Sequence, residues 1–177
     1  MPSEAALTAA FAATAETLKM EYAVANTSPT GLYVIDVSVQ VTAGGAAVRH
    51  GIPRIELSPE RVVLLMMKLR PLDPRRSYTA PPQAYAVLLP PGGVRRISTE
   101  LSFPLIPANL PASREVQEIL LNRLSLTVGV VPVTAAPAVE QEIGGEKLWR
   151  LPATSWKQQR ELRFDAAVAN LRVLVNK

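Results

Sequence analysis

The sequence predicts an all-β fold, an antiparallel sandwich of about seven to nine strands with one short helix near residues 113–124. Three observations lead there. Apolar and polar residues alternate with period two in several stretches, the pattern of strands with one face buried. The 16 prolines and 9 glycines cut the chain into short elements separated by stiff turns. Strand patterns also follow one another without the regular strand–helix alternation that a doubly wound α/β fold requires. With 177 residues and 48% hydrophobic composition, one domain spanning 1–177 can bury a core without staples. None is offered, because the chain has no cysteine.

Leu18, Met20, Tyr22 and Val24 alternate with Lys19, Glu21 and Ala23, which predicts a half-buried strand. The turn-forming run Asn26-Thr-Ser-Pro-Thr-Gly31 follows. Alternation then resumes from Tyr33 to Val41, so the two strands are expected to form a hairpin. Gly44-Gly45 makes the next turn, and Ile52–Leu57 reads as a strand. The apolar run Val62–Met67 suits a strand covered on both faces. Ser58-Pro59-Glu60 is equally a helix start, so 58–69 stays open between strand and helix, with strand preferred for its strand neighbours. Residues 5–14 pose the same choice: alanine content favours helix, the adjoining strand favours strand, and strand is preferred.

Pro71–Pro82 is a proline- and arginine-rich connection. Tyr85–Leu89 is a short strand, Pro90-Pro-Gly-Gly93 a turn in which proline fixes φ and glycine permits positive φ, and Ile97–Phe103 an alternating strand. Val116, Ile119, Leu120 and Leu124 share one face at helical spacing, with Ser113 as N-cap. Leu124–Val130 continues as a strand to Pro132, and Pro137–Gly145 is an acidic loop. Lys147–Leu151 reads as a short strand or extended piece, and Leu162–Val175 closes the chain as β structure.

The stretch Leu18–Val41 with its Asn-Thr-Ser turn resembles a hairpin of bacterial immunoglobulin-like and fibronectin-type sandwiches. Leu89-Pro-Pro-Gly-Gly93 with the strand after it is similar to another part of such domains. The resemblance implies an immunoglobulin-like sandwich and leaves function open, because such folds host many activities. The cysteine pair packed on tryptophan that marks antibody domains is not present.

No catalytic constellation is visible. The single histidine, His50, sits beside a predicted turn, and no Gly-x-Ser-x-Gly accompanies it. Zinc chemistry lacks both cysteine and a His-Glu-x-x-His pattern. Glu140, Glu142 and Glu146 read as a solvated acidic loop, and the three Gly-Gly pairs as turns outside any phosphate-binding motif. No cofactor is implied. The net charge of +4 is small; its basic surplus lies in the second half of the chain but does not gather into the dense stripe of a nucleic-acid binder. No stretch reads as a membrane span: the longest uncharged run, 77–94, contains Pro81, Pro82, Pro90 and Pro91. No signal peptide is visible, which favours the cytoplasm and leaves the periplasm open if a leader has been removed.

These exclusions point to a non-enzymatic binding or accessory module whose partner is another protein. The alternatives are a protease inhibitor or chaperone-like strand-adding protein, then nucleic-acid binding or a carboxylate-only enzyme. Candidate anchors are Arg75, Arg76 and Tyr78 in the stiff Pro-rich connection, because arginine forks onto carboxylates and stacks on rings. Trp149 and Trp156, set among Lys147, Arg150, Lys157 and Arg160, complete the set. The bland reading stands beside each: a crossover between sheets for the first three, core or core rim for the tryptophans.

Overall fold

The computed structural model describes residues 4–79, 82–112 and 115–177. They form thirteen strands and two 3₁₀ turns, with no α-helix. The strands are β1 (Ala5–Ala13), β2 (Thr17–Asn26), β3 (Leu32–Ile35), β4 (Val37–Thr42), β5 (Gly45–His50), β6 (Arg54–Leu57) and β7 (Val63–Met67). They continue as β8 (Ala84–Leu89), β9 (Val94–Ser102), β10 (Val116–Pro132), β11 (Val139–Ile143), β12 (Glu146–Leu151) and β13 (Arg160–Asn176).

A three-stranded sheet has the order β1-β2-β9, and a larger one the order β11-β12-β8-β3-β10-β7-β6, with β13 paired along β10; β4 and β5 form a separate hairpin. The inward residues of β2 (Leu18, Met20, Tyr22, Val24) meet Val63 and Leu65 of β7 and Leu124, Leu126 and Val128 of β10 in the main core. A second cluster, on the far side of the larger sheet, joins Tyr33, Ile35, Val131, Ala136 and Leu151. This explains why Tyr33, Val34 and Ile35 of β3 are all buried: Val34 serves one core and Tyr33 and Ile35 the other. In β7, Val63, Leu65 and Met67 are buried in the main core, while Leu64 and Met66 on the opposite face are half-buried.

Several expectations are corrected. Residues 116–124 are strand, not helix, and Ser113, the expected N-cap, lies outside the described residues. Val116–Leu121 pairs with Leu171–Asn176 of β13, and this ladder overrides the helical spacing. The ladder shifts at Leu121/Arg123, where Asn170 takes a left-handed φ of 62° in a bulge of β13. The expected hairpin of 18–24 with 33–41 does not form. β2 pairs with β1 and β9, β3 pairs with β8 and β10, and residues 27–31 cross between sheets. Asn26 makes the crossing possible: its buried amide donates to the carbonyls of Thr30, Leu89 and Pro90 at 2.8–3.1 Å, while its Oδ1 accepts from Ser28. The expected strand 33–41 breaks at Asp36 into β3 and β4, and the expected loop 137–145 contains β11. Thirteen strands replace seven to nine, and the β7–β10 pair is parallel. Residues 63–67 and 5–13 are strands, as preferred.

Candidate functional site

Asp36 ends β3 and turns the chain into β4, and its side chain is fully buried. A buried carboxylate requires partners, and two strands of the smaller sheet supply them. Tyr22 of β2 donates its hydroxyl to Oδ2 at 2.7 Å, and Arg95 of β9 grips both oxygens through Nε at 3.0 and 2.8 Å. Burial, then the Asp36 carboxylate, pushes the Tyr22 hydroxyl pKa upward. Arg95 also reaches Nδ1 of His50 at 2.9 Å, and His50 Nε2 lies 2.7 Å from Glu146 Oε2. A guanidinium only donates, so Nδ1 accepts and the Nε2 proton points at Glu146. The chain Tyr22–Asp36–Arg95–His50–Glu146 thus ties the β4–β5 hairpin to both sheets. His50 is an interior link of this network on β5, not an idle loop residue.

The hairpin so held forms part of a cleft of about 1390 Å³. Val37, Val39 and Val41 of β4 line it with Met66, Leu69 and Leu72, and Tyr78, Tyr85 and Trp156 bring three aromatic rings. Arg54, Lys68, Arg70 and Arg76 face Glu56, Asp73 and Glu161 within it. Glu56 accepts from Arg54 at 2.8 Å and from Arg70 at 2.7 Å. Burial raises the Glu56 pKa, but the two arginine hydrogen bonds outweigh it and hold the carboxyl below its ordinary range. Lys68 bonds Glu161 at 2.7 Å. Arg76 stands 3.8 Å from Asp73, beyond hydrogen-bond reach, with its side chain 77% exposed.

Of the five residues singled out in the sequence, the structure brings Arg76, Tyr78 and Trp156 together in this cleft. Trp156 sits in the 3₁₀ turn Ala153–Lys157, where Lys157 Nζ lies 5.8 Å from its ring centre. Arg75 is outside the lining, its backbone N–H bonded to Asp73 Oδ1. Trp149 is half-buried on β12 against Tyr33, the core position that the bland reading assigns it.

The segment 70–79 is braced from within: Arg76 N–H bonds Asp73 O, and Asp73 N–H bonds the Tyr78 hydroxyl. Gln159 completes the floor. Its amide accepts from Leu69 N–H at 2.7 Å and donates to Leu69 O at 3.2 Å, so a side chain takes the place of a paired strand where β7 ends. The amide lies over Gly129, where a Cβ would come within 2.2 Å of Gln159 Oε1. Sequence reasoning placed 33–41 in a strand but not in the cleft, and it missed Gln159 and the Asp36 chain. The one signal for the last was an aspartate interrupting an apolar strand.

Among the described residues, no group of three or more His, Cys, Asp or Glu side chains is placed to hold a metal ion. Among the described residues, no helix is long and apolar enough to cross a membrane. Comparison with protein-family models, with curated proteins and with solved structures finds no match.

Proposed function

We propose that this protein is a non-enzymatic binding module that holds a segment of another protein in the cleft, with Arg76, Tyr78 and Trp156 as anchors. The observation that carries this reading is the convergence of aromatic rings and a valine strand on one concave, open surface. Aromatic and arginine side chains at the centre of a concavity supply most of the binding energy in protein contacts. Nucleic-acid binding fits less well. The cations here face carboxylates of the same cleft, so few are left to neutralise phosphates. A carboxylate-only enzyme is disfavoured because Glu56 and Glu161 are already engaged by cations.

The fold is read, in the same spirit, as a variant immunoglobulin-like sandwich. Two sheets enclosing the main core support this, and the parallel β7–β10 pair and the additional hairpins are its departures.

The test is affinity capture from a lysate of the source organism, with the wild type and the triple variant Arg76→Ala/Tyr78→Ala/Trp156→Ala run in parallel. A protein retained by the wild type and lost by the folded variant supports the reading. Equal retention by both removes the cleft as the binding site.

A further inference from the structure

We infer that the occupant of the cleft is an extended strand that pairs with the open edge of β4; this deepens the binding reading above and rests on it. The direction of the β4 backbone follows from its hairpin. Thr42 and Gly45 close the two-residue turn Ala43–Gly44 as the hydrogen-bonded pair. Bonded pairs then recur at Gln40–Ala47 and Ser38–Arg49, and the series continues in the bond from Gly51 N–H to Asp36 O. Val37, Val39 and Val41 therefore direct their N–H and C=O groups away from β5, and these three residues line the cleft.

The other strand edges are blunted in the ways expected of proteins that avoid edge pairing. β6 carries Arg54 and Glu56, β9 carries Arg95, Arg96 and Glu100, and β11 carries Glu140 and Glu142. The uncharged β1 lies beside β13, linked by the Arg160–Glu4 ion pair and the Phe11–Phe164 contact. β4 reads Val-Ser-Val-Gln-Val-Thr, likewise without charge or proline; it pairs only with β5, and its outer edge faces the cleft. An open edge left unguarded inside a concavity is the arrangement of strand-addition sites.

Charge states the rest of the occupant. The lining holds four cations against three carboxylates, Glu56 is shared by two arginines, and Arg76 has no hydrogen bond to its carboxylate. The fitting occupant is a polypeptide strand with apolar side chains at alternate positions and an acidic residue toward Arg70 and Arg76.

A phage-displayed library of random linear peptides supplies the probe. Peptides enriched on the wild-type protein are expected to alternate apolar residues and carry Asp or Glu. On binding, hydrogen exchange should slow at the Val37, Val39 and Val41 amides and stay unchanged at Ser38 and Gln40, which already bond β5. Val39→Pro deletes an outward N–H without touching the β5 ladder, so it should weaken binding by about tenfold or more. Charge reversal at Arg76 should weaken the acidic peptides alone. Failure to enrich any binder overturns the proposal. So does binding that Trp156→Ala weakens while the three valine amides stay unprotected, although the cleft then keeps its binding role. Self-association of the wild type that Val39→Pro abolishes would overturn it in favour of a second copy of this chain.

Discussion

Replacing Arg95 with alanine isolates the electrostatic clasp that holds the β4–β5 hairpin. The side chain of Asp36 is fully buried and that of Arg95 only 14% exposed, so solvent screens the pair little. Removing one partner of a buried pair leaves an uncompensated charge and costs about 3–5 kcal/mol. Tyr22 still donates one hydrogen bond, and His50 loses the donor to its Nδ1. In a domain of this size each kcal/mol shifts the melting temperature by about 2–4 °C, so Arg95→Ala should lower Tm by roughly 6–20 °C. Urea titration of Arg95→Met, Asp36→Asn and the double variant should give a double loss smaller than the sum of the singles, since the second change removes the stranded charge. A loss below about 1 kcal/mol for Arg95→Ala, the range of an exposed pair, would refute the clasp.

Other outcomes follow from the same structure. Gly129→Ala should destabilise by driving a Cβ into the Gln159 amide, and Gln159→Ala should cost about 1–3 kcal/mol by unpairing the Leu69 backbone; in combination the losses should be less than additive in urea titration. Asn26→Ala should cost more than about 3 kcal/mol, since several buried carbonyls lose their donor at once. The raised Tyr22 pKa means that the native state holds this proton more tightly than the unfolded chain. Its contribution is complete below the unfolded tyrosine value of about 10 and is lost as pH rises above it. Tyr22→Phe should therefore flatten the alkaline limb of a stability–pH curve while lowering stability at neutral pH.

The strands with clean alternation were legible: β2 and β9 stand close to their expected ranges. Pairing was not, because period two specifies which face a strand buries and says nothing of its neighbour. The turn at 26–31 has hairpin composition, yet a buried Asn26 side chain joins it to the turn at 89–93 and sends the chain to the other sheet. Glu118-Ile-Leu-Leu121 shows why 116–124 misled. Three successive apolar residues fit either period, and only pairing with β13 decides; Leu120 remains 63% exposed as a result. At the site, Trp156, Tyr78 and Arg76 were visible as residue types suited to contact. Their convergence with a valine edge more than thirty positions away in sequence arises from tertiary packing alone. The clasp was hidden for the same reason, since its five members come from segments spread between Tyr22 and Glu146.

The most direct test of the cleft as a partner site is photo-crosslinking in cells, with a photoreactive residue placed at Trp156 and a control at Thr8 on the exposed face of β1. A discrete crosslinked protein from position 156, absent from position 8, is the predicted result. The same products from both positions, or a product from position 8 alone, would contradict the assignment.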